Sequence, residues 1–188
     1  MATKTSELLA AAAPRTVSVV REISDDQFDL PTPCVDYTVR DLLNHVYDVV
    51  VNFQTLAARR EVDWSVSTDH LTPGWRDRFA EEAGRLVRAW DDPAAEEGTS
   101  PGMGLPQRTV GLMGLIDLTV HGWDLARATG QPYQPAPEVT GAGHGFMDEM
   151  GDTGRKMGAF GEPVELGEDV PDLDRLLGRT GRDPAWTP

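Results

Sequence analysis

Asp117 and His121 stand four residues apart in the stretch IDLTVHGWDLARATGQ, residues 116–131. At helical spacing this puts a carboxylate and an imidazole on one face, with Leu, Ile, Val and Trp around them. Burying either group without a partner is costly, so something compensates them: each other, a third side chain, or a metal ion. A second imidazole, His45, lies three residues after Leu42 and four before Val49, on the apolar side of another helical pattern. Two nitrogen donors and one oxygen donor on facing helices form a ligand set that suits a divalent ion with positions left open for water or substrate. Spacing alone leaves the plainer alternative standing, in which Asp117 and His121 pair with each other and His45 is a hydrogen-bonded core residue.

Other residues join this set as candidates. Asp124, three residues after His121, fits either an acceptor or base at the site or a helix-surface carboxylate paired with Arg127 or Arg40. Arg127 and Arg40 can grip a substrate carboxylate through bidentate pairs, with surface ion pairing as the competing role. Asp124 and Arg127 are carried forward as the candidate catalytic residues. Trp123 and Met113 read as core, although Met113 lies one turn before Asp117 and can line a pocket there. Cys34 precedes a helix start, where a thiolate is favoured electrostatically, but reads as a buried, inert thiol. His70, beside Asp69, and His144, between Gly143 and Gly145, read as solvent-exposed.

The elements that position these residues are helices. A first pattern runs from about Ser6 to Ile23 and contains Pro14, which is expected to kink or break it. A second opens at Thr38, with Asp41 completing a short capping box, and ends at Arg59-Arg60. Residues 61–72 read as a loop, and Pro73 starts a third helix that runs to Trp90. DDPAAEEGTSPGMGLPQ is a long Gly/Pro-rich connection with room for a short hairpin. The fourth helix spans Pro106 to Thr129, ended by Gly130; it is apolar nearly all round from Val110 to Val120 and should be central. Glu138 to Met157 reads as a glycine-rich fifth helix, and the tail has one short helix around Asp172 to Leu177. No segment reads as a strand of a large sheet. The pattern predicts an all-α protein, a four-helix bundle in up-and-down order. Residues 1–135 form the bundle, and residues 136–188 are a helix and tail packed on it rather than a separate domain.

Composition narrows the function. The chain has 188 residues, 17 Lys and Arg against 31 Asp and Glu, and a formal charge of -14. So acidic a surface repels phosphate backbones and anionic lipid, which argues against nucleic-acid and membrane partners. No apolar run is long enough for a membrane span, and MATKTSELLAAAAPRTVSVV reads as a first helix rather than a secretory signal. One cysteine excludes an internal disulfide framework and fits a cytoplasmic location.

Two stretches carry a resemblance. Pro31-Thr-Pro-Cys34 with Tyr37-Thr-Val-Arg-Asp-Leu-Leu-Asn-His45, and Asp117-Leu-Thr-Val-His-Gly-Trp-Asp124 with the following Leu-Ala-Arg-Ala-Thr-Gly-Gln131, resemble the metal-binding domain of mycothiol-dependent maleylpyruvate isomerases, within the DinB-like superfamily. The similarity covers roughly residues 5–135. It implies a DinB-like four-helix bundle with a divalent metal between its helices, Zn²⁺ before Ni²⁺, Fe²⁺ or Mn²⁺. Its ligands map onto His45, Asp117 and His121. It also implies chemistry with a low-molecular-weight thiol such as mycothiol or bacillithiol, in which a metal lowers the thiol's pKa or polarises a carbonyl. Two departures are visible: only about fifty residues follow the bundle, where the isomerase has a larger C-terminal domain, and Tyr37 stands where a Trp precedes Thr-Val. The expectation is a metal-dependent thiol S-transferase or thiol-assisted isomerase acting on a small electrophile, with homodimer formation by resemblance. A metal-dependent hydrolase of a small amide or ester and a non-enzymatic metal-binding or stress-response module are the alternatives.

Overall fold

In the computed structural model, six α-helices and two 3₁₀ turns carry the described residues, and no strand is found among them. Described are residues 3–66, 68–167 and 169–188. Ser67 of the expected loop, Glu168 of the tail and residues 1 and 2 of the expected bundle lie outside that set. The helices are α1 (Thr5–Glu22), α2 (Val39–Ala57), α3 (Trp75–Asp91), α4 (Gln107–Ala128), α5 (Pro137–Lys156) and α6 (Asp172–Arg179).

The all-α bundle is present, but its order is not up-and-down. In such a bundle consecutive helices are neighbours; here α1 and α2 each pack principally against α3 and α4, which puts α1 and α2 on a diagonal. The connection from Ile23 to Thr38 is long enough for this, and it is held close to α2: Val39 and Arg40 donate backbone hydrogen bonds to Leu30 and Phe28. Pro14 does not break α1. Ala10 and Pro14 both lie on its exposed side, so the carbonyl deprived of a donor faces water. The opposite face buries Leu8, Leu9, Ala12, Ala13, Thr16, Val19 and Val20. That burial offsets the roughly 3 kcal/mol cost of an interior proline.

α2 starts as its cap predicts: Thr38 Oγ1 accepts from the Asp41 N–H at 3.3 Å, and Asp41 Oδ2 accepts from the Thr38 N–H at 3.0 Å. The long connection before α4 folds as a 3₁₀ turn, Pro93–Glu96, and a single antiparallel bridge between Thr99 and Pro106 rather than a hairpin ladder. α4 is the central element, buried on nearly every side. It approaches its neighbours through glycines. A Cβ on Gly114 would meet the Phe53 ring at 2.7 Å, and one on Gly111 would meet Thr5 and Trp90 at 2.7 and 2.8 Å. Thr129 closes the helix and Gly130 leaves it with φ +71°.

α5 and α6 build a second apolar cluster on the outer side of α4, where Ile116, Val120 and Trp123 meet Phe146, Met147, Leu173, Leu176 and Leu177. The segments after α5 and α6 are joined by backbone hydrogen bonds from Gly161 to Thr180 and from Val164 to Gly178. This pairing, with Arg127 donating to the Trp186 and Pro184 carbonyls at 2.7 and 3.1 Å, fixes the tail against the C-terminal end of α4.

Candidate metal centre

Three side chains from two neighbouring helices converge. α2 supplies His45, and α4 supplies Asp117 and His121 on one face. One ligand atom from each lies within 4.8 Å of the others. The rings of His45 and His121 meet edge to face with centroids 4.9 Å apart. The three groups are close without being bonded together: His121 Nε2 is 3.9 Å from Asp117 Oδ1, beyond hydrogen-bond reach. Among the described residues neither ring nitrogen of His45 has a hydrogen-bond partner.

The orientation of His121 is set from the other side. Its Nδ1 donates to Asp124 Oδ2 at 2.9 Å, which leaves Nε2 directed toward Asp117. Asp124 is wholly buried and is held in turn by Arg182, with Nε 3.4 Å from Oδ1 and a terminal nitrogen 3.2 Å from Oδ2. Asp124 is therefore neither a surface carboxylate nor a partner of Arg127 or Arg40. Arg40 stacks over the Phe28 ring at 4.6 Å, and Arg127 is engaged by the tail carbonyls and does not line the cavity at the trio.

That cavity has a volume of about 540 Å³ and is bordered by His45, Asp117, His121, Cys34, Tyr37 and Arg182, with Gly158, Gly161 and Gly181 in its wall. The loop before α2 forms its other side. Thr32 Oγ1 bonds the Tyr37 carbonyl at 2.8 Å and the Cys34 carbonyl at 3.0 Å, which sets the Tyr37 ring 5.6 Å from that of His45. Cys34 is half-buried in the wall rather than shut in the core, and its ligand atom lies within 4.8 Å of those of His121 and Asp124.

The electrostatics follow from enclosure. Burial, helped by the neighbouring His121, pushes the His45 pKa down to about 4, so the ring is neutral at pH 7 and keeps a lone pair. Burial pushes the Asp117 carboxyl up, against the pull of His121 and Arg182. Burial likewise raises the Cys34 thiol, with Arg182 opposing, which outweighs any preference for thiolate near a helix start.

The remaining sequence candidates lie elsewhere. Trp123 is in the second apolar cluster. Met113 lines a separate apolar cavity that also reaches Asp117. His70 and His144 are not simply solvent-exposed: His70 Nε2 lies 2.7 Å from Asp48 Oδ1 and its ring stacks on Tyr47 at 4.1 Å, while His144 is engaged by Arg179 and Asp172. Arg182 and Tyr37 are among the cavity residues to which the sequence assigns no role at the site. Arg182 stands in a tail without periodicity, and no spacing connects it to α4.

A family model described as the mycothiol maleylpyruvate isomerase N-terminal domain matches residues 9–126. Two uncharacterized proteins of Mycobacterium tuberculosis, from strain CDC 1551 / Oshkosh and strain ATCC 25618 / H37Rv, are each 30% identical over 130 residues. The aligned part covers 65% of this chain and 65% of each relative, so the chain spans about two thirds of the length of the curated relatives it matches. No solved structure matches the chain. His45, Asp117, His121 and Asp124 fall inside the matched region, and Arg182 falls outside it.

Proposed function

The chain belongs to the mycothiol maleylpyruvate isomerase N-terminal domain family, a DinB-like metal-binding family, and from that premise we propose that it is a metal-dependent enzyme joining a low-molecular-weight thiol of the mycothiol type to a small electrophile, or using that thiol to isomerise one. His45, Asp117 and His121 are the residues that would hold the ion, with Zn²⁺ the leading candidate. The donor set fits one. Two imidazole nitrogens and a carboxylate oxygen lie within 4.8 Å of one another. They leave ligand positions free, as catalytic sites do. The observation that carries this reading is that the three groups converge without hydrogen bonds among themselves. A purely structural trio would use its polar atoms on each other.

A divalent ion at this position would lower the pKa of a bound thiol so that the thiolate forms near neutral pH. The protein's own residues do the rest. Asp124 fixes the tautomer and direction of His121 through Nδ1, a carboxylate–imidazole arrangement that orients a ligand nitrogen. Arg182 holds Asp124 in place through a hydrogen bond to each carboxylate oxygen. Asp124 is thus a positioning residue, while Arg127, tied to the tail, supports the fold at that end. The polar wall with Tyr37 and Cys34 leaves room beside the trio for the two reactants.

The test is metal content, measured by elemental analysis on the parent and on His45→Ala and His121→Ala, followed by turnover with and without thiol. Near one equivalent in the parent, lost in both variants, with turnover only when thiol is present, is the expected result. A parent that takes up no Zn²⁺, Ni²⁺ or Mn²⁺ overturns the metal site, and thiol-independent turnover overturns the assigned reaction.

A further inference from the structure

Next to the polar cavity is a second one of about 380 Å³, and the two share Asp117, Ala159 and Phe160 in their walls. Met103, Met113, Met150 and Met157 line it, with Ile116 and Phe146 between them. Among its described lining residues only Asp117 and Thr153 have polar side chains, and none is a lysine, arginine or histidine. The chamber is assembled from distant parts of the chain. α4 gives Met113, Ile116 and Asp117, α5 gives Phe146, Met150 and Thr153, and the connections before α4 and after α5 give Met103 and Phe160. Phe160 seats against α5 because Gly154 has no Cβ; one built there would overlap the ring. Phe160 therefore stands between a polar and an apolar chamber, with Asp117 common to both.

We propose that the apolar chamber holds the body of the substrate, an uncharged aromatic or alkyl group, while the substrate's polar reactive end lies at Asp117 beside His45 and His121. This names the substrate class for the site proposed above and rests on that reading only for the placement of the reactive end. Size, chemistry and charge all favour it. A dry cavity of about 150 Å³ takes one benzene ring. A volume of about 380 Å³ is more than double that, enough for two ring systems or a branched alkyl group. Thioether side chains are unbranched and polarizable and re-pack around differing shapes, so the chamber accepts a family of apolar groups rather than one outline. A small dicarboxylate is disfavoured. The apolar wall offers it no cation, and the guanidinium of the adjoining cavity, Arg182, is already bonded to Asp124. Desolvating its charges there would go uncompensated.

The test is titration of the full chain with N-phenyl-1-naphthylamine, an uncharged probe of two ring systems that brightens in apolar surroundings, with metal content measured on the same preparation. Met113→Trp and Met150→Trp fill the chamber from α4 and from α5, and both positions are only partly buried. Each is first compared with the parent by circular dichroism, and either one that keeps the helical spectrum suffices. Saturable binding by the parent, weakened at least tenfold in the folded variant and not displaced by millimolar maleate, is the expected result. Absence of saturable binding, equal binding by parent and folded variant, or displacement by maleate overturns the proposal. Metal content keeps the two readings apart. Probe bound by a protein that takes up no metal sinks the metal site and not the chamber, and metal without probe binding sinks the chamber and not the metal site.

Discussion

Arg182→Met is expected to destabilise the protein by about 3–5 kcal/mol, the range for removing one partner of a buried ion pair. Arg182 supplies two of the side-chain hydrogen bonds to Asp124, at 3.4 and 3.2 Å, and His121 supplies the other at 2.9 Å. Asp124 has no exposed surface, and the Arg182 side chain is only 10% exposed, so solvent screening does not soften the loss. The methionine stem keeps most of the arginine's apolar volume, which leaves the cost with the stranded carboxylate rather than with a cavity. For a chain of this length each kcal/mol moves Tm by about 2–4 °C, so the expected drop is about 6–20 °C. Urea unfolding followed by circular dichroism reads the difference, with an unchanged m-value. Combining Arg182→Met with Asp124→Asn removes both charges, and the neutral amide oxygen can still accept from His121. The double variant is therefore expected to be about 1–3 kcal/mol more stable than the sum of the single losses. A loss under about 1 kcal/mol for Arg182→Met, or strict additivity in the cycle, would refute the reasoning.

Acidification is expected to destabilise the metal-free protein between pH 6.5 and about pH 4, because His45 titrates near 6.5 when unfolded and at about 4 when folded. The unfolded chain binds the proton first, so the contribution is intact above pH 6.5 and lost as pH falls through the folded value, on the order of 3 kcal/mol in full; His45→Phe should flatten that part of a stability–pH curve, and an unchanged slope would count against the burial of His45. Gly114→Ala is expected to cost about 1–3 kcal/mol by urea unfolding, since overpacking against Phe53 exceeds the roughly 1 kcal/mol gained in helix propensity. A neutral or stabilising result would mean that Phe53 can move aside. His70→Ala removes the stack on Tyr47 and the contact with Asp48 and is expected to cost about 0.5–1.5 kcal/mol. Amide exchange should quicken around residues 69–72 and not in α4, and exchange unchanged there would show that the loop is held by other contacts.

Periodicity made α1, α2 and α3 legible because each buries one broad face, and α2 even carries its capping box in the sequence. The connections were less so. Up-and-down order is the simplest reading of four amphipathic helices, but nothing in the pattern of Leu42, Val46, Val49 and Phe53 says which helices lie across from them. The glycines of α5 spoke against a helix by propensity, yet Gly143 is where Leu176 and Ile116 come close, at 2.7 and 3.1 Å from the position of a Cβ. Gly143 and Gly154 record close packing rather than weak helix, while Gly141 and Gly145 face open space. Pro14 misled for the reverse reason: a local penalty was visible and the burial that offsets it was not.

The site divides in the same way. His45, Asp117 and His121 sit on helix faces, so spacing brought them into one set, and the resemblance to a metal-binding family gave that set a meaning. Asp124 could not be placed from α4 alone, because a helix apolar nearly all round has no wet face to tell a buried carboxylate from an exposed one. Its meaning depends on Arg182, 58 residues further on, in a tail whose course is fixed by main-chain bonds between Gly161 and Thr180 and between Val164 and Gly178. Backbone pairing of this kind leaves no side-chain pattern to read. The approach of Gly181 to Gly161, where a Cβ on Gly181 would come within 2.6 Å of the opposing Cα, shows how closely the two strands of chain must pass to bring Arg182 to Asp124. The tail thus reaches the trio through one guanidinium, one carboxylate and one imidazole in series, and loosening any of the three leaves His121 free to turn.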